Sequence, residues 1–481
     1  MTVSRVLFFG LFLSWAGGVS AQGPQLSCFE VETAGLALPA AVDLLAGLGV
    51  EVRVEAGRVS LVCFDAARRP LEADRAALVA AGLPPSRSWA AVARERLVVV
   101  RGARRFEAEE LGRVLALAGR QAVVELSPER SLDEPFAGFH AAECGREGPM
   151  RLGDAARAIG PEEALARAVD PESARLLAGP VTPALTAAVD AVDANRWLAD
   201  VTTLAGWNRW TRGTQILAAR DWLAARFADL PGMEVSTASF PVTSNTGWNV
   251  LARLSGTIEP ASWYLVGGHY DSTSEIPSVA APGAEDNASG CAGVLELARA
   301  FAANPPARTV LFVCYAGEEQ GLYGSEDHVA DLVASGEDTG WGGGLVLDMI
   351  GYTADAELDV LFESEPFGQS LITAFTAAAA DFTTLAVVAS LSAWGSDHVP
   401  YLEAGLPAML AIENDWDQYA YYHTTSDLPG RLSTAMGGAV LRMGAGGMGR
   451  LVGLAEPAGL LFRDGWERGN ATAWDSVGDA P

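Results

Sequence analysis

No lysine occurs anywhere in these 481 residues; all 33 cationic side chains are arginines, set against 60 acidic ones, for a formal net charge of −27. Phosphate binding needs a cationic face, so nucleic acid is not an expected partner. The missing lysine reflects genome composition rather than chemistry. Long apolar runs are scarce too. Beyond the first 21 residues no segment approaches the roughly 20 uninterrupted apolar positions that a spanning helix needs, so the mature protein is expected to be soluble, with no membrane span. The five cysteines include no Cys-x-x-Cys pair, which argues against a cysteine-based metal or redox motif. Gly-x-Ser-x-Gly, Gly-x-x-x-x-Gly-Lys and a Gly-x-Gly-x-x-Gly after a strand are absent as well. Serine-hydrolase, nucleotide and dinucleotide readings therefore lack support.

What is present begins with an address. Residues 1–21 carry one early cation, Arg5, then the apolar run Val6 to Leu13, and close on Val19-Ser20-Ala21, a small-x-small cleavage pattern. This reads as a secretory signal peptide, with a secreted or periplasmic product. Cys28 and Cys63 each sit in a β-like run, and an oxidising compartment allows a disulfide between them. Cys291 and Cys314 fall in a predicted helix and a predicted core strand and read as buried thiols. Cys144 is left over.

Periodicity divides the rest. Residues 22–130 read as a small α+β domain, with strands at Val50 to Val54, Val59 to Phe64 and Leu97 to Val100, and helices at Leu38 to Leu48, Glu72 to Ala81 and Glu107 to Ala118. Residues 131–184, rich in Ala, Pro and Glu, suit a linker or bridging helices. From 185 to 455 strands alternate with helices, which argues for an α/β fold with a mostly parallel sheet covered on both faces. Residues 456–481 lose periodicity and read as a tail.

Candidate chemistry lies in that third part. His269 in Gly-Gly-His-Tyr-Asp, Asp286 in Glu-Asp-Asn-Ala-Ser-Gly, Glu319 in Gly-Glu-Glu-Gln-Gly, Asp348 in Val-Leu-Asp-Met-Ile and His423 in Tyr-Tyr-His-Thr-Thr stand in short segments where strand gives way to loop. In open α/β sheets the ligand crevice lies beyond the carboxyl ends of the strands, so one crevice can collect them. Two imidazoles and three carboxylates suit a pair of zinc ions sharing one carboxylate. His398 competes with His423 for the second imidazole position, and Asp348 has the alternative role of a strand-end cap. Two metals a few ångströms apart can activate a shared water and polarise a carbonyl. Glu318, beside Glu319 on a sharp glycine turn, is the candidate general base and acid, and Asp271 is placed to fix the His269 tautomer. Ser396-Asp397-His398 is written like a hydrolase triad, but three successive side chains point different ways, so it reads as structure near the pocket.

Residues about 188 to 452 resemble the co-catalytic di-zinc aminopeptidases, the secreted bacterial leucyl aminopeptidase-like metallopeptidases. The resemblance rests on Asn208-Arg209-Trp210-Thr211, Gly267-Gly268-His269-Tyr270-Asp271-Ser272, Asp286 to Gly290, Gly317 to Ser325, Ser396-Asp397-His398 and His423 to Asp427. It implies a mixed eight-stranded sheet flanked by helices, one zinc on His269, Asp286 and Asp348, a second on Asp286, Glu319 and His423, and Glu318 as general acid/base. It departs at Leu391 to Gly395, where some relatives place a tyrosine or a disulfide. Family members are often secreted with an inhibitory prosegment, which makes residues 22–130 a candidate for one.

From Thr309 to Gly430 there is no cation, yet this stretch supplies three of the five candidate ligands. A carboxypeptidase would want an arginine for the substrate carboxylate, whereas an acidic rim of Glu363, Glu365, Glu413, Asp415 and Asp417 suits a free ammonium. The expected activity is therefore release of N-terminal residues, with apolar ones favoured by Trp394, Tyr401, Trp416 and their neighbours. A glutaminyl cyclase-like acyltransferase with one zinc and a non-catalytic binding homologue are the alternatives.

Overall fold

The computed structural model describes residues 25–32, 50–130 (other than 58, 82, 84, 102–104 and 119), 156–158 and 162–454, together with Leu45 and Leu48. The expected signal peptide, most of the helix expected over 38–48, Cys144 and the tail lie outside the described residues.

Among the described residues, nine strands precede residue 170: β1 Gln25–Glu32, β2 Val52–Gly57, β3 Val59–Asp65, β4 Pro85–Ala93, β5 Leu97–Arg101, β6 Gly112–Ala118, β7 Gln121–Leu126, β8 Ala156–Ala158 and β9 Glu162–Ala168. Eight more follow: β10 Met233–Val242, β11 Asn245–Leu254, β12 Glu259–His269, β13 Arg308–Tyr315, β14 Trp341–Leu347, β15 Asp359–Glu363, β16 Ala386–Ser390 and β17 Ala408–Glu413. These last eight form the expected mixed, mostly parallel sheet, in the order β10-β11-β13-β12-β14-β17-β15-β16. Its centre is parallel, with β12 flanked by β13 and β14 and β14 beside β17.

Strand alternation sends neighbouring residues to opposite faces, and both faces are covered. Val266 and Phe312 pack with helices α1 Ala194–Leu204, α2 Ile216–Ala228, α3 Gly290–Ala303, α5 Gln369–Phe382 and α6 Thr434–Val452. Their neighbours Leu265 and Val313 pack on the other side with Val329 and Leu332 of α4 Tyr323–Ser335 and with Tyr401. Near-continuous apolar strands such as Thr-Val-Leu-Phe-Val-Cys-Tyr are what burial on both faces demands.

The sheet does not stop at β16. β9 pairs antiparallel with β16 and parallel with β2, and the order continues β9-β2-β3-β1-β4 to make thirteen strands. A second sheet, β6-β7-β5-β8, lies alongside. Cys28 and Cys63 stand opposite each other in the β1–β3 ladder and are disulfide-bonded. Two expectations are corrected here. The stretch 131–184, expected to be a linker or bridging helices, carries β8 and β9 before its helix at Pro171–Ala178. The helix expected over Glu107 to Ala118 ends at Leu111, and β6 follows. In both places Ala, Glu and Arg favour helix intrinsically, but open strand edges of β16, β2 and β7 capture the backbone, and tertiary pairing outweighs a propensity of a few tenths of a kcal/mol per residue, roughly.

Candidate metal centre

Each candidate side chain is delivered by a strand end or the turn after it. His269 is the last residue of β12, and Asp348 follows directly on β14. Glu318 and Glu319 lie in the turn after β13, which opens at Gly317 with φ +75°, a conformation that favours glycine. The main-chain oxygen of Glu318 accepts hydrogen bonds from the N–H groups of Gly321 and Leu322, closing that turn so that the two adjacent carboxylates diverge. Asp286 begins the approach to α3. Gly290 at its start has no room for a side chain, since a Cβ would lie 2.2 Å from the Leu347 oxygen. This close approach brings the Asp286 and Asp348 segments together. Asn287 fixes it, donating from Nδ2 to the Leu347 oxygen at 2.9 Å and accepting at Oδ1 from the N–H of Gly290 and of Met349.

The five candidates converge. Asp286 is central: its Oδ1 lies 3.4 Å from His269 Nε2, and its Oδ2 lies 2.9 Å from His423 Nε2. Asp348 Oδ1 is 3.5 Å from His269 Nε2, and Glu319 Oε2 is 3.1 Å from His423 Nε2. Two half-sites thus share one carboxylate. Glu318 Oε2 stands 3.9 Å from His269 Nε2. All six side chains are at most about a tenth exposed. His398 takes no part: it is fully buried, and neither ring nitrogen has a hydrogen-bond partner.

A second layer holds these groups. Ser396 Oγ donates to Asp348 Oδ2 at 2.7 Å, so the serine of the Ser-Asp-His run supports the site instead of attacking anything. Thr211 Oγ1 donates to Asp271 Oδ2 at 2.7 Å, and the Glu318 N–H reaches Asp271 Oδ1 at 3.3 Å. His269 Nδ1 faces the Asp271 main-chain oxygen at 3.3 Å, with the carboxylate at 3.6 Å. Asp427 accepts from the N–H groups of Glu285 and Asp286, at 2.9 and 3.1 Å, and from the Tyr419 hydroxyl at 2.7 Å. Arg209, fully buried, donates to four main-chain oxygens, those of Leu204, Tyr270, Pro282 and Gly283, and so shapes the loop before Asp286. Sequence reasoning placed Ser396 as structure near the pocket, which its bond to Asp348 makes specific, but gave no role to Asn287 or Asp427, marked only by their places in the matching motifs.

Electrostatics shows what the cluster lacks. Burial pushes the Glu319 carboxyl up to about 7, with the Asp286 charge adding to it, and pushes Asp397 up to about 7 as well. Burial, together with Glu319, Asp397 and Asp348, drives Glu318 well above the usual carboxylate range despite His269 beside it. Burial disfavours a charged His269, yet Glu318 and Asp348 hold its imidazole well above the ordinary range. Asp348 Oδ1 and Glu319 Oε1 are buried without a hydrogen-bond donor. Buried acceptors are normally satisfied, and so many carboxylates at close quarters need positive charge. Imidazole nitrogens and carboxylate oxygens in two groups sharing Asp286 fit a pair of zinc-like dications. The residues present fit that pair.

One lining residue comes from far away. The turn between β6 and β7 places Arg120 in the wall of the pocket that His269, Asp286, Glu318 and Asp348 line. Its Nη2 donates to the Gly395 oxygen at 2.8 Å, and its Nε is 3.9 Å from Glu363. The charge argument from the cation-free stretch is thereby corrected: the pocket does contain a guanidinium, contributed by the N-terminal strands. The acidic rim is corrected as well, because Glu363, Glu413 and Asp415 are buried among packed elements instead of lining an open mouth.

Similarity to known proteins falls on the same segment. A probable zinc metalloprotease of Pyricularia oryzae is 44% identical over 166 residues, covering 29% of this chain and 32% of that protein. A probable aminopeptidase of Saccharomyces cerevisiae is 29% identical over 262 residues, covering 48% of this chain and 65% of that one. The chain thus spans about a third of the first relative's length. The crystal structure of the Legionella pneumophila LapA aminopeptidase aligns with a TM-score of 0.50 at 16% identity, covering 90% of this chain and all of that one, a likeness of fold. The family model that matches is Peptidase family M28, over residues 249–443. Every candidate ligand and Glu318 lie within those bounds, so the part of the chain that matches the M28 peptidases is the part that carries the site.

Proposed function

We propose that this chain is a zinc-dependent exopeptidase that removes the N-terminal residue from peptides, using two zinc ions and working outside the cytoplasm. The observation that carries the reading is Asp286, whose two oxygens face two different imidazoles while oxygens of Asp348 and Glu319 stand buried and without a donor. His269, Asp286 and Asp348 would hold one zinc, and Asp286, Glu319 and His423 the other. When bound, the metals supply Lewis acidity toward a scissile carbonyl and a lowered pKa for water.

The chain's own groups do the rest. Glu318 is free of a ligand role in this scheme and is buried among carboxylates that raise its proton affinity, which suits a group that takes a proton from the attacking water and returns it to the leaving amine nitrogen. Thr211 and the Glu318 N–H hold Asp271 behind His269, and Ser396 holds Asp348, so neither ligand needs to reorient during the reaction. Support for a substrate with a free ammonium comes from the three carboxylates that line the pocket, Asp286, Glu318 and Asp348, against the one guanidinium of Arg120. Export is supported by the pattern of residues 1–21 and by the Cys28–Cys63 disulfide, a bond that persists in oxidising compartments.

The test combines metal analysis with paired substrates. Zinc near two per chain and hydrolysis of leucine p-nitroanilide, but not of its N-acetyl form, are expected; a single zinc would favour a cyclase-like acyltransferase, and equal turnover of the two anilides would remove recognition of the free amine. Glu318→Gln should keep its zinc and lose between a hundredfold and ten-thousandfold in kcat, roughly. Unchanged turnover in that variant would take Glu318 out of the proton-transfer role.

A further inference from the structure

Arg120 is 2% exposed and lines the pocket with His269, Glu318, Ile412 and Trp416, among others. Its guanidinium is held from two sides, by the Gly395 oxygen on Nη2 and by the charge of Glu363, and its carbon lies 5.7 Å from the centre of the Trp416 ring. Yet its Nε–H has no hydrogen-bond acceptor. A buried donor left without a partner is costly, and a guanidinium prefers the planar fork of a carboxylate. Glu363 faces that Nε at 3.9 Å, beyond hydrogen-bond reach, and the guanidinium stands in the wall of the pocket, where the carboxylate of a ligand can meet it. Arg120 lines the same pocket as His269, Asp286 and Asp348, so a carboxylate on it belongs to a short substrate that ends near the wall, not to a long chain passing through it.

We infer that Arg120, supplied by the N-terminal strands, is a specificity-determining residue that binds the free carboxylate of a short peptide, so that the preferred substrate is a dipeptide. The inference rests on the exopeptidase reading above. The scissile carbonyl lies at the His269 and Asp286 cluster, the free amine on the carboxylate side, and the terminal carboxylate against Arg120. The N-terminal strands are then part of the catalytic wall. Two observations agree with that permanence: β9 joins the β2 sheet to β16, and Gln121, next to Arg120, donates from Nε2 to Ser390 Oγ at 3.3 Å.

The test compares leucyl-glycine, leucyl-glycinamide and leucine p-nitroanilide as substrates of the full chain with zinc. Arg120→Gln should raise KM for leucyl-glycine tenfold or more while kcat changes less than threefold. For the amide and the anilide, kcat/KM should stay within about threefold, and Arg120→Lys should recover part of the leucyl-glycine loss. Equal losses on all three substrates would overturn the inference, as would faster turnover of all three, which would make Arg120 a plug. Should Arg120→Gln fold poorly, the lysine variant alone decides: the dipeptide-to-amide ratio must fall, and an unchanged ratio would overturn the assignment. A wild-type chain that hydrolyses the anilide but prefers the amide to the free dipeptide refutes this inference and leaves the exopeptidase reading standing. A zinc-loaded chain idle on all three refutes both.

Discussion

Asp427 couples the two halves of the site through one carboxylate. It stands four residues after His423 and holds the N–H groups of Glu285 and Asp286, so the loop bearing one imidazole also orients the shared carboxylate. Asn in its place keeps one acceptor and turns an NH₂ toward N–H groups. Asp427→Asn should therefore weaken zinc binding by 10- to 100-fold, roughly the cost of losing an outer-sphere partner, as read by competition with a chromogenic chelator. His328 lends itself to a different residue-level test. Burial pushes its imidazole down to about 4, and it faces the Tyr401 hydroxyl, not a candidate ligand. A base whose folded pKa is depressed stabilises the fold above its unfolded value near 6.5, and that stability is lost as pH falls toward 4. Urea unfolding of wild type and His328→Asn at pH 7 and pH 4 should show the wild-type advantage shrinking by about 3 kcal/mol. The candidate ligands could be picked from sequence because each stands at a strand end or in a short glycine-bearing loop, where charged residues interrupt an apolar pattern. Arg120 could not be picked, because it lies almost 150 positions before His269 and nothing around it differs from an ordinary turn.

Elements that are buried on both faces were the most legible. β12, β13 and β17 read as apolar runs of strand length, and α3 and α5 as apolar patterns of helical period, because burial leaves the period visible in composition. The β10–β11 hairpin is poorly legible. Only Phe240 and Val242 are buried over Met233–Val242, so the strand carries little apolar alternation, and its turn at Thr243 and Ser244 has no glycine to announce it. β6 and β9 were misread because alanine and arginine favour helix, and only pairing with strands far along the chain decides otherwise. Between β1 and β3 the ladder is closed covalently. Removing the Cys28–Cys63 bond with paired serines frees a 35-residue loop and should cost about 4 kcal/mol, visible as an earlier urea transition of the N-terminal strands while zinc content holds.

At the scale of the whole molecule, composition indicated two folded parts, and the α/β class followed from the order of elements in the second. Their junction could not be read. A sheet that runs without interruption from β10 to β4 depends on a strand drawn from a stretch whose composition suits a connector. The pocket inherits this arrangement, since its wall is completed by a turn that sequence assigns to a different part. The seams in that long sheet are unequal. β9 meets β2 through five cross-strand pairs but meets β16 through two, at Val388 with Ala168 and Ala389 with Arg167. Under mechanical load between the chain's two ends, the sheet would tear first along the two-rung seam, and β9 would travel with the first-third strands, carrying the Arg120 wall out of the crevice in one piece.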